Sequence, residues 1–496
     1  MYADQASDQN QQQSIFAIYA QDRWTLNRLS LQGGLRFEHL GDYFGDQQVG
    51  PNIFVPTALT FPKGDGPLSL NDLQPRFGAS YDVLGNGKTA AKFFLGRYVT
   101  TTNTVDEWLF YSPAGNGHLG ANTNRSWNDS DGDFVADCNL LNSAANGECG
   151  PFSNPNFGKT SNPLTVDPET TSGWNKREYS WDMTLGVTQE VAPRVSVEFN
   201  YVRRTWGNLK TTINRALTPA DFDTFTYNVP RDARLPGGGG YPLVFRDVKP
   251  GKFGILDNFQ TFTDNIGGSS NNYNGVDFNV NARLRDVTIQ GGTSTGNVVE
   301  DECGVVAQHP EMYIFSGWGG TLDFFKQFNP SLGQWPQSYC RRESGWQTNF
   351  KGLASYTVPK IDVLISATWK SVPYPGNNFP SVTSQSLTGQ VLAVPIAETD
   401  LGRPLSSGNV IEFLNMVEPG KLYGDRLNQA DLRLGKNLRY GRTRTLVALD
   451  IFNLFNSNTP DVYQTNYSAP GATSTYLNPL SITVGRFFKL SAQFDF

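Results

Sequence analysis

The sequence predicts an all-β protein, an antiparallel β-barrel that crosses a membrane with its strands. Three observations predict it. Apolar and polar residues alternate along many segments, the connections between those segments are short and long in turn, and the chain ends on an alternating run of aromatic residues. Such a barrel has one strand face toward lipid and the other toward a lumen.

The composition is compatible with a barrel. Of the 496 residues, 38% are hydrophobic and 13% are aromatic, and 50 are glycine. No run of about 18 apolar residues occurs, which excludes a membrane-spanning helix. Barrel strands are not excluded, because lipid-facing and lumen-facing residues average to a polar sequence. The net charge of -6 and the lack of a Lys/Arg stripe argue against nucleic acid as a partner.

Thirteen segments alternate with a period of two residues. Val276 and Phe278, for example, alternate with Asp277 and Asn279. The predicted strands are 15–25, 28–40, 73–84, 88–100, 178–191, 194–209, 272–285, 286–298, 345–358, 360–372, 427–438, 443–455 and 484–496. Their apolar faces are almost free of charge, as lipid requires, since a Lys or Arg at its midplane costs about 2–4 kcal/mol. A soluble sandwich or propeller is the alternative, but strands of soluble sheets are shorter, with about five or six residues.

The connections predict which end of each strand faces the cell exterior. Tight turns of two or three residues alternate without exception with long polar stretches. The long stretches lie near 41–72, 101–177, 211–271, 300–344, 374–426 and 456–483. Bacterial outer-membrane barrels have short periplasmic turns and long extracellular loops, so the long stretches are expected outside the cell. The domain prediction is a leader or loop segment, 1–14, followed by one barrel, 15–496.

The last strand predicts an assembly signal and a polarity. Phe488, Leu490, Phe494 and Phe496 share one face, and a terminal aromatic on such a strand resembles the signal read by the barrel-assembly machinery of Gram-negative bacteria. Phe494 and Phe496 are the predicted signal, and that machinery and outer-membrane lipid are predicted partners. If the C-terminus is periplasmic, counting back through thirteen strands places the start of the first strand outside the cell. Complete bacterial barrels, by contrast, have an even number of strands. The first residues also lack a signal peptide, so we expect the C-terminal part of a larger barrel.

Several tracts resemble TonB-dependent receptors of the bacterial outer membrane. Residues 427–436, the Asp-x-x-Asn-Leu-Phe-Asn element at 450–456 and the ending 486–496 look like the C-terminus of these receptors. Residues 18–24 and 73–82 are similar to the barrel of the Oar-like, carboxypeptidase-regulatory-domain branch. The resemblance covers nearly the whole chain, strongly in the strands and weakly in the loops. It implies a barrel of about 22 strands, closed by an N-terminal plug that contacts TonB; this chain would supply roughly strands 10 to 22, without the plug.

The resemblance implies a TonB-dependent transporter for a large solute of the oligosaccharide, peptide or siderophore class. A passive porin and a surface adhesin or structural barrel are the alternatives. No enzymatic activity is expected, because His39, His118 and His309 are far apart in the sequence and belong to no triad, HExxH motif or nucleophile elbow. The implied location is the bacterial outer membrane, and TonB is the implied partner through a region outside this chain.

An acidic loop predicts a calcium site. Asp129, Asp131, Asp133 and Asp137 occupy relative positions 1, 3, 5 and 9. Ca²⁺ binds six to eight oxygens, and alternate aspartates on a tightly turning loop can converge on one ion. The spacing resembles thrombospondin type 3 repeats and departs from the EF-hand, because Phe134 stands where the EF-hand has glycine. A solvated acidic loop is the alternative; bound calcium would stiffen the loop.

Four cysteines predict two disulfides in the long loops. Cys138 with Cys149, and Cys303 with Cys340, is the simplest of the three possible connectivities. Both pairs fall in predicted extracellular segments, where thiols are normally oxidised. The spacings lack the C-x₂-C pairs of zinc sites, and free thiols are the alternative.

Two aromatic clusters in the predicted loops leave two interpretations open. Residues 108–111 form one cluster, and Trp335, Tyr339 and Trp346 form the other. Such side chains can stack on a sugar or a siderophore. They can equally form the aromatic girdle at the membrane interface or pack within the loops.

Overall fold

The main element of the protein, in a computed structural model, is one antiparallel sheet whose strands follow each other in chain order. The structure describes residues 11–100, 123–154, 156–160, 164–315, 334–373, 390–395, 401–406, 411–441, 443–471 and 474–495. The sheet strands are β1 (Gln11–Leu26), β2 (Leu29–Phe44), β3 (Gly64–Asp82), β4 (Thr89–Val99), β5 (Tyr179–Ala192), β6 (Val195–Gly207), β7 (Ser270–Arg283), β8 (Val287–Asp301), β9 (Gln347–Val358), β10 (Val363–Val372), β11 (Leu427–Tyr440), β12 (Thr443–Phe452) and β13 (Phe487–Asp495).

All thirteen predicted strands are confirmed, and their order is the predicted order. The largest differences are at strand ends. β1 begins at Gln11 rather than at residue 15, and β3 begins at Gly64 rather than at residue 73. The extension of β3 pairs with the end of β2, and Leu40, Leu68 and Leu70 form a buried cluster there. This burial stabilises strand pairing inside a segment whose polar composition predicted a loop.

The short turns lie at one end of the sheet and the long connections at the other, as the sequence predicted. Asn27 and Arg194 adopt left-handed backbone conformations in the tight turns, with φ of 52° and 65°. In the turn between β3 and β4, the Asp82 carboxylate accepts hydrogen bonds from the N–H groups of Gly85 and Gly87, at 2.9 and 2.8 Å. These local bonds satisfy backbone donors that the sheet leaves unpaired.

The sheet has two edges, β1 and β13. Among the described residues neither edge pairs with the other. Two short strands extend the sheet near its long-connection end. Ser172–Trp174 runs parallel to β3, and Arg341–Glu343 pairs with β8.

The long connections contain secondary structure of their own. Their strands, besides the two short ones that join the sheet, are Gln47–Val49, Leu59–Phe61, Leu164–Val166, Lys210–Asn214, Phe222–Asn228, Pro242–Val248, Asn258–Phe262, Gln390–Pro395, Ile411–Asn415, Pro460–Tyr463, Asn466–Tyr467 and Pro479–Ile482. Their helices are the α-helices Pro168–Thr171, Cys303–Gln308 and Glu311–Phe315 and the 3₁₀ turns Pro219–Asp221, Pro236–Gly238, Pro250–Lys252, Thr263–Ile266 and Gln337–Tyr339. Within the described part of the chain, no helix is both long enough and apolar enough to span a membrane.

Most of the apolar core among the described residues lies in the long connections rather than in the sheet. The two largest buried clusters take their residues from connections, centred on Phe245 and Met416 in one and on Val305 and Met312 in the other. The sheet, by contrast, leaves large apolar side chains exposed on one face. This distribution is expected of a barrel whose strands face lipid on one side and water on the other.

Candidate functional site: the lumen wall and the loop assembly

The two faces of the sheet differ in chemistry. On one face, Phe199 of β6, Phe278 of β7 and Phe350 of β9 are 50%, 43% and 36% exposed. Phe199 is the direct partner of Phe278 across β6 and β7. An exposed aromatic band of this kind is suited to lipid. We refer to it as the lipid face and to the opposite side as the lumen face.

The lumen face carries a row of polar side chains and glycine. Adjacent strands from β6 to β11 place successive residues directly opposite each other in this row. The row is Glu198, Asn279, Gly292, Lys351, Lys370 and Gln429. A concave groove of about 1150 Å³ lies against this row and is lined by further Asn, Gln, Ser and Thr side chains from the same strands. Side chains that donate and accept hydrogen bonds suit a hydrated solute path.

Four long connections pack against one another at the far end of the sheet. They join β6 to β7, β8 to β9, β10 to β11 and β12 to β13, and we call them the loop assembly. Their shared cluster contains Phe225, Leu243, Tyr339, Met416 and Tyr476, all nearly inaccessible to solvent. Burial of each large apolar side chain contributes about 1.5–3 kcal/mol, so these loops are a folded body.

Hydrogen bonds and ion pairs join the connections within the loop assembly. The hydroxyls of Tyr241 and Tyr339 both donate to the carbonyl oxygen of Met416, at 3.0 and 2.9 Å. The Arg403 guanidinium contacts Asp223 at 2.9 Å and Asp247 at 2.6 Å. These contacts link segments between 77 and 180 residues apart in the sequence, which fixes the loops relative to one another.

Arg234 joins a second pair of connections. Its guanidinium contacts the Asp232 carboxylate at 2.6 Å and donates to the carbonyl oxygens of Ser468 and Tyr476. The hydrogen bond from Arg234 lowers the pKa of Asp232 to about 2. The pair is therefore ionised at neutral pH, and its carbonyl contacts hold the last long connection to the first one in the assembly.

The disulfide Cys303–Cys340 lies at the base of the loop assembly. It closes a separation of 37 residues with a Cα–Cα distance of 4.8 Å, within the usual range for disulfides. Beside it, the buried Arg342 guanidinium contacts Glu300 at 3.3 Å and Glu302 at 3.2 Å and donates to the Tyr313 hydroxyl at 2.6 Å. The bridge and this network attach the connection to the end of β8.

A buried ionic network attaches another long connection to the sheet. Arg177, just before β5, contacts Glu38 of β2 and Asp72 of β3, both at 2.6 Å. Arg97 lies 3.6 Å from the same Asp72 and donates to Asn175 at 2.9 Å. Nothing in the local sequence patterns indicated these partners, since they lie on three strands and one loop.

In the acidic loop, Asp129 and Asp131 converge with Glu148, and their carboxylate oxygens lie within 4.8 Å of one another. Among the described residues, the carboxylates of Asp133 and Asp137 are not part of this group. Asp133 instead accepts a hydrogen bond from the Val135 N–H at 2.7 Å. Three carboxylates could hold a cation in this loop, and the calcium assignment stays a prediction.

Glu148 was not among the predicted ligands. Its carboxylate accepts hydrogen bonds from the Ser130 hydroxyl and N–H, both at 2.6 Å, and from the Trp127 ring at 3.0 Å. The bonds from Ser130, followed by that from Trp127, lower the pKa of Glu148 to about 2. The structure contains the predicted disulfide Cys138–Cys149, which places Glu148 beside the loop. The position of Glu148 directly before Cys149 is therefore the sequence signal that could have identified it as a candidate ligand.

The Asp-x-x-Asn-Leu-Phe-Asn element forms the corner between β12 and the last connection. Asp450 contacts Arg433 at 2.5 Å. Asn453, with φ of 51°, donates through its side chain to the carbonyl oxygens of Ser457 and Val484, at 2.8 and 2.9 Å. The Asn456 side chain accepts from the Arg486 N–H at 2.9 Å. The element therefore has a structural part in ending β12 and starting β13.

The other predicted residues are placed as follows. Phe494 is 62% exposed on the lipid face of β13, opposite Thr445, whereas Phe496 lies outside the described residues. Their part in barrel assembly stays a prediction. The aromatic cluster 108–111 also lies outside the described residues. Trp335 and Tyr339 pack edge to face in the loop assembly, with ring centroids 6.3 Å apart, and Trp346 is exposed.

Comparisons with known proteins agree with this architecture. A protein-family model described as "Outer membrane beta barrel domain" matches residues 1–291. No curated protein sequence matches the chain significantly.

Several solved structures are similar in fold. The FrpB iron transporter from Neisseria meningitidis (F3-3 variant) is 10% identical, with a TM-score of 0.45, and the match covers 97% of this chain and 45% of the FrpB chain. The ferric-catecholate import receptor Fiu from Escherichia coli K12 is 12% identical with a TM-score of 0.42, covering 97% and 44%. The siderophore receptor PiuA from Acinetobacter baumannii is 8% identical with a TM-score of 0.44, covering 98% and 43%. This chain therefore spans a little under half the length of these three proteins.

Proposed function

This chain belongs to the outer membrane beta barrel domain family, and from that premise we propose that it forms the C-terminal wall of a TonB-dependent transporter for a large solute. Its location is the bacterial outer membrane, which agrees with the apolar lipid face, where charged side chains are few. The observation that carries the proposal is the polar lumen face, with its groove of about 1150 Å³, together with a folded loop assembly.

The width of the sheet supports a large barrel. Thirteen strands form an open sheet, and β1 and β13 are not paired with each other among the described residues. Open sheet edges do not occur in the hydrocarbon region, because unpaired N–H and C=O groups cost several kcal/mol each in lipid. Further strands would complete the barrel, and barrels of about 22 strands enclose a plugged lumen. The solved structures with similar folds include an iron transporter and a siderophore receptor.

The loop assembly favours a gated transporter over a passive porin. Its clusters, ion pairs and disulfide tie four connections into one body. A porin has a water-filled channel, whereas solute capture benefits from loops that are already ordered, since ordering them on binding costs free energy. An adhesin is the remaining alternative, and it needs no solute path through the wall.

The test uses the intact polypeptide purified from its native membrane. The transporter proposal predicts no steady conductance in planar lipid bilayers and saturable binding to the isolated periplasmic domain of TonB. Stable ohmic conductance without TonB binding would favour the porin. The absence of both conductance and TonB binding would favour the adhesin.

A further inference from the structure

We propose that Lys351 and Lys370 form a binding site on the lumen face for a carboxylate or phosphate group of a hydroxyl-rich solute. The inference rests on the proposed function, since it assigns a chemical class to the solute. The two lysines are direct partners in the pairing of β9 with β10 and point to the same face. Directly opposite residues have Cβ atoms about 4.5–5.5 Å apart.

Two lysines in this position repel each other. Like charges directly opposite each other destabilise an antiparallel pair. Neither lysine forms an ion pair with a carboxylate of the described residues. Other cations of the lumen face do have such partners, including Lys92 with Glu198 at 3.3 Å and Arg433 with Asp450 at 2.5 Å. An anion between the two ammonium groups would remove the repulsion.

The neighbours of the pair leave space for a ligand. On the β8 side, the residue opposite Lys351 is Gly292, which has no side chain. On the β11 side, the residue opposite Lys370 is Gln429, whose side chain donates to Asp431 at 3.0 Å. Both lysines are exposed and line the groove of about 1150 Å³. A solute group can therefore approach both ammonium groups from the lumen.

The remainder of the groove determines the class of solute. Asn279, Gln290 and Asn349 line it and offer both donors and acceptors, as hydroxyl groups require. Its carboxylates are Glu198, Asp277 and Asp431. Glu198 contacts Lys92, and Asp431 accepts from the Asn453 N–H at 2.8 Å. The groove thus combines one local cationic pair with walls of amide, hydroxyl and carboxylate side chains. An acidic sugar chain or a phosphorylated sugar has groups that match the cationic pair and the amides.

The test is isothermal titration of the intact polypeptide in detergent with two probes, galacturonic acid and inorganic phosphate. Saturable binding of either probe is expected, and the probe that binds identifies carboxylate or phosphate as the recognised group. Lys351→Gln and Lys370→Gln should each weaken binding by about tenfold, because each removes one charge-assisted contact. Lys92→Gln is the matched control, since Lys92 is also on the lumen face but has a carboxylate partner; it should leave the affinity unchanged.

A second measurement needs no variant. Reductive methylation followed by mass spectrometry should show that the bound probe slows modification of Lys351 and Lys370 but not of Lys92. The inference would be overturned if neither probe bound saturably. It would also be overturned if the variant with both Lys351→Gln and Lys370→Gln bound the probe as tightly as the unmodified protein. Conductance and TonB binding test the proposed function separately, so a failure of the lysine site is distinguishable from a failure of the transporter proposal.

Discussion

Arg177 and Asp72 lie 105 residues apart in the sequence and form a buried ion pair, with Arg177 Nε donating to Asp72 Oδ2 at 2.6 Å. Their side chains are 3% and 0% exposed. The same guanidinium donates to Glu38 at 2.6 Å. One arginine of a long connection therefore joins two neighbouring strands and holds that connection against the sheet.

We expect Asp72→Asn to destabilise the protein strongly. The neutral amide leaves Arg177 and Arg97 buried with one carboxylate fewer, and breaking a buried pair costs about 3–5 kcal/mol. The measurement is the urea midpoint of the protein folded in lipid vesicles. Asp257→Asn is the control, because its pair with Arg215 is exposed and such pairs contribute about 0–1 kcal/mol. Equal midpoints for the two variants would contradict the assigned role.

The two faces of the sheet lead to opposite predictions for two positions of the same strand. Phe278→Arg places a charge on the lipid face of β7, at a cost of about 2–4 kcal/mol near the midplane. Asn281→Arg places the same charge on the lumen face, where water solvates it, and should fold normally. Folding is measured as the fraction of heat-modifiable protein after insertion into vesicles. Equal impairment of both variants would mean that the face assignment is wrong.

The sheet could be predicted from the sequence because strand faces are encoded locally. Alternation such as Val276-Asp277-Phe278-Asn279 indicates lipid on one side of the strand and water on the other, and it can be recognised without information on distant residues. The short turns are equally local, since Asp82 caps its own turn. The extension of β3 to Gly64 was missed because its burial depends on Leu40 of β2, a partner that periodicity does not reveal.

The loop assembly and the buried ion pairs could not be predicted in this way. Arg403 and Asp223 are 180 residues apart, and Arg177 and Glu38 are 139 apart. Their contacts depend on how the loops fold back over the sheet. The lysine pair could be predicted from the sequence only in part. The alternation of Lys370 was visible in the sequence, but its alignment opposite Lys351 requires the register of β9 with β10.

Loss of the Cys303–Cys340 bridge should loosen the loop assembly. A bridge over a separation of 37 residues constrains the unfolded chain by about 3–4 kcal/mol. We expect Cys303→Ser with Cys340→Ser to expose Arg342, which is now buried, to cleavage by trypsin. The paired substitutions Cys138→Ser and Cys149→Ser are the control and should leave Arg342 protected. Unchanged cleavage in the first variant would show that packing alone holds this connection.

Acid should release the Asp232–Arg234 contact. The folded pKa of Asp232 is about 2, below its ordinary value of 3.8. The pair therefore contributes its full stabilisation above the ordinary value, and that contribution is lost as the pH falls toward about 2. Acid titration of tryptophan fluorescence should report loosening near Trp335 in this window. Asp232→Asn should lose this transition, whereas the exposed Asp264→Asn should retain it; an identical titration in all three proteins would refute the assignment.

The calcium prediction now concerns three carboxylates rather than the four aspartates. Asp129, Asp131 and Glu148 converge within 4.8 Å, and the bonds from Ser130 keep the pKa of Glu148 near 2. Carboxylates this close repel one another, which favours a divalent cation between them. Asp133, by contrast, caps the Val135 N–H.

We expect millimolar Ca²⁺ to slow chymotrypsin cleavage after Phe134, which is 85% exposed at the tip of this loop. An ion bound by oxygens from both ends of the loop would restrain the backbone that the protease must extend. Glu148→Gln and Asp131→Asn should remove the protection, because each deletes a charged ligand, whereas Asp133→Asn should retain most of it. If Ca²⁺ leaves the cleavage rate of the unmodified protein unchanged, the loop is a solvated acidic turn held by Glu148 and the disulfide alone. If Asp133→Asn abolishes protection as fully as Glu148→Gln does, the ligands are the aspartates that the spacing predicted.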